Sequence, residues 1–174
     1  MIIEDKIGLR AIEKEDVPLL HRWRNDESLR RYFREYRELS LTQKHQWYDK
    51  MIQSPNFEMF MIDDVEKKES VGITGFTYID WVNRHSDVHF YIGKNSEWID
   101  SYYAPIAIKK VLDHGFNMLN MNKLWAEIYE IDEKKLSFFQ NHGFTTDATL
   151  RDHYYYEGQY YTSYIVSLLK KDYE

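Results

Sequence analysis

Residues 111–144 read VLDHGFNMLNMNKLWAEIYEIDEKKLSFFQNHGF, and two changes of period inside this stretch decide the fold. The stretch begins inside a helix. Ile108, Val111 or Leu112, Phe116 or Gly115, and Leu119 recur at steps of three and four, which places them on one apolar face. At Leu124 the period falls to two, and Leu124–Ile131 reads as a strand. Glu133–His142 returns to a helical pattern and stops at Gly143, the residue type that best adopts a left-handed helix C-cap. A strand with a helix on each side of it in sequence belongs in the middle of a sheet.

Reading outward from there, the N-terminal part is a strand followed by helices. Ile7–Ile12 reads as a strand, Asp16 as the N-cap of a helix with Pro18 in its first turn, and Leu19, Leu20 and Trp23 as that helix's buried face. The pattern stops near Asn25-Asp26, and a short helix over Glu27–Phe33 follows. Ser40 with Gln43 three residues later has the spacing of a capping box and opens a third helix. Past Pro55 the period is two again, with strands at Phe57–Ile62, Val71–Ile79 and Val88–Ile92. At the far end, Thr149–Tyr156 and Tyr160–Leu169 form a hairpin around Glu157-Gly158-Gln159. The order predicts one α/β (α+β) domain over residues 1–174. Its sheet is mixed and mostly antiparallel, has about seven strands, and carries helices on both faces.

Composition removes several function classes. The 174 residues include no cysteine, so disulfides and thiolate metal sites are excluded and a cytoplasmic setting is expected. No metal is called for. A formal net charge of −6, with acids and bases interspersed, argues against a nucleic-acid or membrane-surface partner. No apolar run approaches the roughly 20 residues of a membrane helix, and MIIEDKIGLR is too charged for a signal peptide.

Four phrases at this spacing resemble the GNAT superfamily of N-acetyltransferases: LRAIEKEDVPLLHRWRND, DVHFYIG, the stretch quoted above, and RDHYYYEGQYYTSYIVSLL. The resemblance covers essentially the whole chain. It implies an acyltransferase that moves the acetyl group of acetyl-CoA, as co-substrate, directly to a primary amine. It also implies a strand bulge near DVHFYIG, where the backbone of Phe90, Tyr91 and Ile92 meets the acetyl carbonyl. The CoA arm is then expected between that strand and WAEIYEID, with the diphosphate on the N-terminus of the next helix. LSLTQKHQWYDKM tilts the resemblance toward the branch that acts on nucleotide-linked amino sugars. Protein N-termini and small-molecule amines such as polyamines are the alternatives.

Two departures from the family stand out. The approach to the helix, Trp98 to Ala104, contains no glycine and no cation, has an acid at Asp100, and is followed by Pro105. On one reading Ser101, Tyr102, Tyr103 and Ala104 still offer N–H groups to the diphosphate. On the other, the site has decayed and the scaffold is a non-catalytic binding module. Phe139 stands where many members have a proton-donating tyrosine, and Asp132 where the family usually has an asparagine touching the CoA arm.

The remaining site expectations come from polar residues on strand faces and helices. Glu127 is the candidate base for the amine proton, with His45 and Tyr91 as further catalytic candidates. Asp87 and His89 alternate with Val88 and Phe90 and would floor the acceptor site. Arg24, Arg30 and Trp81 complete the substrate candidates. The segment RRYFREYRELS suits a nucleotide diphosphate, or equally a solvated face paired with Glu35 and Glu38. The tyrosine-rich hairpin would line the acceptor pocket or join two copies as a homodimer.

Overall fold

The computed structural model describes residues 2–4 and 6–173. The elements in chain order are β1 (Ile2–Glu4), β2 (Ile7–Ala11), α1 (Val17–Asn25), α2 (Glu27–Arg30), α3 (Leu41–Gln53), β3 (Glu58–Asp64), β4 (Glu69–Asp80), β5 (His85–Ile92), α4 (Tyr103–Asp113), β6 (Lys123–Tyr129), α5 (Glu133–Asn141), β7 (Thr145–Tyr156) and β8 (Gln159–Leu169). One eight-stranded sheet runs in the order β1-β2-β3-β4-β5-β6-β8-β7. Its pairings are antiparallel except between β5 and β6, which are parallel. The eighth strand, beyond the seven expected, is the short edge strand β1. The central position expected for Leu124–Ile131 holds, although β6 ends at Tyr129.

Alternation along β5 sorts the helices onto the two faces. Phe90 packs against Phe138 of α5 at 5.5 Å between ring centroids. On the same face, Phe76, paired with Val88, stacks on His114 just past α4. On the opposite face Tyr91 meets Trp23 of α1 at 6.4 Å and Phe33 beyond α2 at 5.1 Å. Helices therefore cover both faces.

Local rules account for most boundaries. Ser40 and Gln43 make the reciprocal capping box of α3. α2 stops at Arg30, short of the expected Phe33, because Tyr32 and Phe33 leave the helix to pack on Trp98, the first stacked and the second edge-on. α4 runs on into a π-turn, His114–Met118, where Gly115 lies against Phe76 and Leu124.

Gly93 follows β5 because Trp23 lies directly on its backbone, and a Cβ there would come within 2.1 Å of the indole. Gly93→Ala is expected to cost about 2 kcal/mol through overpacking. In a chain of this size that is a fall of roughly 4–8 °C in Tm. A thermal melt unchanged by the substitution would show that α1 is free to back away.

Candidate active site at the β5–β6 split

β5 and β6 pair at only three positions, His85 with Lys123, Ser86 with Leu124 and Asp87 with Trp125. Beyond them β5 stays on β4 as far as Ile92, and β6 stays on β8 as far as Tyr129. The two strands therefore part in a V. The expected bulge at DVHFYIG is absent, since the β4–β5 register is continuous from Asp87 to Ile92. The irregularity lies between Thr77 and Asp80 on β4, where Tyr78 has φ 52°. Strand alternation, without a bulge, turns backbone donors toward the split. Gly93 donates to the Val71 carbonyl across the β4 side, so the N–H groups of Phe90 and Ile92 face the split. The Ile92 N–H is taken by the Trp98 carbonyl at 2.8 Å. The Phe90 N–H is the donor that remains for a carbonyl in the split.

A cleft of about 250 Å³ opens beside the V. Its centre is a charge cluster. Arg34 reaches in from the segment after α2 and lies 3.1 Å from Glu127 and 3.5 Å from Asp87, one carboxylate from each parting strand. Glu127 also accepts from Ser163 Oγ at 2.5 Å and stands 3.6 Å from His153. Asp87 accepts from Thr77 Oγ1 at 3.2 Å. Burial pushes the Asp87 carboxyl upward, and Arg34 and Lys135 oppose it. Burial also holds His89 well below its usual value, helped by nearby Lys135 and Lys44, so its imidazole is neutral at pH 7. Phe33, Trp47, Tyr78 and Tyr129 supply aromatic walls.

The approach to α4 is organised by two acids. The Asp100 carboxylate accepts from the backbone N–H groups of Tyr102, Tyr103 and Ala104 at 3.0, 2.9 and 2.8 Å. Trp98 Nε1 donates to Asp132 at 2.7 Å, across the mouth of the V, and the Lys135 ammonium lies 4.5 Å from the Trp98 ring centroid. These contacts test the site against CoA. The split, with the Phe90 N–H turned into it, fits an extended thioester arm. The first turn of α4 fits a diphosphate only with the Asp100 carboxylate turned out, because the N–H groups expected to hold that diphosphate already have an internal anion.

The predicted site residues divide accordingly. Arg24, Asp87, His89 and Glu127 converge on the cleft. Tyr91 is core, stacked on Trp98 at 5.5 Å, and burial pushes its hydroxyl upward. Phe139 is fully buried against Phe138 and Phe144. His45 is partly buried on α3, away from the cleft lining. Trp81 is half-exposed and donates to the Pro55 carbonyl at 3.0 Å. Arg30 lines a separate cavity beside the β7–β8 hairpin and pairs with Glu38 at 3.8 Å. Sequence reasoning missed the roles of Lys135, Trp98 and Lys44, and counted Arg34 only as one arginine in a cluster. Asp100 did carry a signal: an Asp two residues before the first helical N–H groups is an N-cap pattern.

Residues 6–145 match the family model described as the acetyltransferase (GNAT) domain, and the chain belongs to that family. It is an acetyltransferase whose transfer is to an amine. It is 27% identical over 173 residues to the uncharacterized N-acetyltransferase p20 of Bacillus licheniformis, with 97% of this chain and 96% of that protein covered. It is 28% identical over 155 residues to the spermidine N(1)-acetyltransferase of Escherichia coli (strain K12), covering 88% and 81%. Its fold is that of the spermidine N-acetyltransferase from Vibrio cholerae solved in complex with CoA and spermine. There the TM-score is 0.89 at 22% identity, covering 97% of this chain and 98% of that one.

Proposed function

We propose that the chain transfers the acetyl group of acetyl-CoA to a primary amine of a small molecule held in the β5–β6 cleft. The observation that carries this reading is the pair of carboxylates, Asp87 and Glu127, closed on a guanidinium where the strands part. Two acids from opposite sides of the split, with aromatic rings around them, are a seat for a cation. Arg34 fills it from within the chain. Its side chain is 44% exposed, so an incoming ammonium can displace it toward solvent.

Acetyl-CoA supplies a thioester carbonyl and a thiolate that leaves. The other roles fall to this chain's own groups. Asp87 and Glu127 draw in the ammonium and orient it. Glu127, anchored by Ser163 Oγ, accepts the proton that the amine must lose before it attacks. The Phe90 N–H donates to the carbonyl oxygen as charge grows there. Phe139 gives no proton and serves the core, so the leaving sulfur is protonated by solvent. The reading assigns no step to His45 or to Tyr91.

The size of the cleft favours a small acceptor over a protein N-terminus. Two relatives named above are, by their names, enzymes of spermidine, which favours a small-molecule amine over the nucleotide-linked amino sugar that the sequence suggested. The test is thiol release from acetyl-CoA by the purified chain across a panel of primary amines, with products weighed by mass spectrometry. A product 42 Da heavier than the amine is expected for at least one member. Binding of acetyl-CoA without transfer to any of them would sink the reading in favour of a non-catalytic module.

A further inference from the structure

Arg24, in the cleft lining, and Lys44, which stacks on the lining residue Trp47, are two buried cations that no carboxylate pairs with among the described residues. Arg24 of α1 is 8% exposed and Lys44 of α3 is 5% exposed. The Arg24 guanidinium lies 4.1 Å from the Phe33 ring centroid, and the Lys44 ammonium lies 3.5 Å from that of Trp47. Both rings line the cleft, as does Arg24 itself. Arg24 Nη2 donates to the Glu35 carbonyl, while Nη1 is buried without an acceptor. The Glu35 carboxylate is turned away and paired bidentately with Arg37, at 2.6 and 2.7 Å. Among the described residues, neither Arg24 nor Lys44 has an acid within ion-pair distance. The contrast inside the cleft is sharp, since Arg34 has Asp87 and Glu127, and the Lys135 ammonium is supported by Asp132 and Asp87.

Two buried cations that repel each other are costly unless an anion joins them. The cost shows on Lys44, which is lowered to about 7 by burial and by Arg24. A cation–π contact offsets only part of that. An ammonium that takes the place of Arg34 between Asp87 and Glu127 leaves the charges of Arg24 and Lys44 as they were. An acceptor that brings its own anionic oxygen relieves both.

We infer that Arg24 and Lys44 form a seat for an anionic oxygen group, carboxylate or phosphate, carried by the acceptor itself. The acceptor is then an amine with an anion on the same small molecule, and not a bare polycation. This inference rests on the reading of Asp87 and Glu127 as the ammonium seat.

The test compares three sets of acceptors with the purified chain and acetyl-CoA, by thiol release. One set bears carboxylates (4-aminobutyrate, 6-aminohexanoate, lysine). A second bears phosphates (O-phosphoethanolamine, glucosamine 6-phosphate). The third is polycationic (putrescine, spermidine). The best member of one anionic set is expected to exceed both polyamines at least tenfold in kcat/KM, and which set wins tells carboxylate from phosphate. Arg24→Gln, and separately Lys44→Met in case the first fails to fold, should reduce that ratio tenfold, mainly through KM. Preference for spermidine, or a ratio that neither substitution moves, would overturn the inference and leave the amine transfer standing. If no amine in any set releases thiol, the transfer reading falls. The seat is then judged by tryptophan emission during titration with inorganic phosphate. A shift that disappears in both Lys44→Met and Trp47→Phe keeps the seat, and its absence overturns it.

Discussion

Glycine in place of Asp100 tightens the binding of CoA by about tenfold or more. If the CoA diphosphate takes the N-terminus of α4, it competes with the Asp100 carboxylate for the three N–H groups that the carboxylate now holds. An anion at a helix N-terminus gains about 0.3–1 kcal/mol, and up to ~2 where it is partly buried. Removing the internal anion returns that gain to the ligand and also lifts the repulsion between carboxylate and diphosphate. Against this stands the lost cap, which on substitution by glycine costs the helix only a few tenths of a kcal/mol. The balance is about 1.4 kcal/mol in favour of CoA, a factor of ten in affinity. Calorimetric titration of the wild type and Asp100→Gly with CoA measures it, with pantetheine, which carries no phosphate, as the ligand whose affinity stays put. Equal affinity of both proteins for CoA would place the diphosphate away from α4.

Glu127→Gln lowers kcat/KM by about 10²–10⁴, the range of a lost general base. Glutamine keeps the shape and can still accept from Ser163 Oγ, so the fold and the hydrogen bond at 2.5 Å are preserved while the proton acceptor is removed. The loss should appear in kcat more than in KM, because Asp87 still draws the ammonium. It should also shrink at high pH, where the amine arrives already neutral and needs no base. A variant with half the wild-type activity at neutral pH would move the proton's destination to solvent or to Asp87.

The fold was legible wherever periodicity and caps act locally. The switch from helical to alternating spacing at Leu124, the box between Ser40 and Gln43, and Gly143 with φ 89° after α5 depend on a few neighbouring residues. The strand-borne part of the site was legible for the same reason, because alternation alone sets Asp87 and His89 on one face of β5 and Glu127 on the matching face of β6. What escaped lies in segments without a period. Arg34 and Trp98 sit where aromatic packing among Tyr32, Phe33 and Tyr91 sets the path of the chain, and no spacing rule points either of them into a cleft. Asp100 was read as a charge opposed to phosphate when it is first of all a cap. The bulge came from resemblance alone, and the continuous register of β5 replaced it.

The brief parallel pairing of β5 and β6 makes the sheet a pair of compasses. One leg is β1 to β5 and the other is β6, β8 and β7. The pivot is three residue pairs plus the Arg84 carbonyl, which takes the N–H groups of Asn122 and Lys123 at 2.7 and 3.2 Å. The indole–carboxylate bond from Trp98 to Asp132 is a strut between the points of the legs. With so few bonds at the pivot, the angle of the legs rests on the contacts that span the split, this strut and the Arg34 bridge from Asp87 to Glu127 among them. The width of the cleft is therefore set by side chains rather than by the sheet, and amide hydrogens at the pivot are the place to see the legs move.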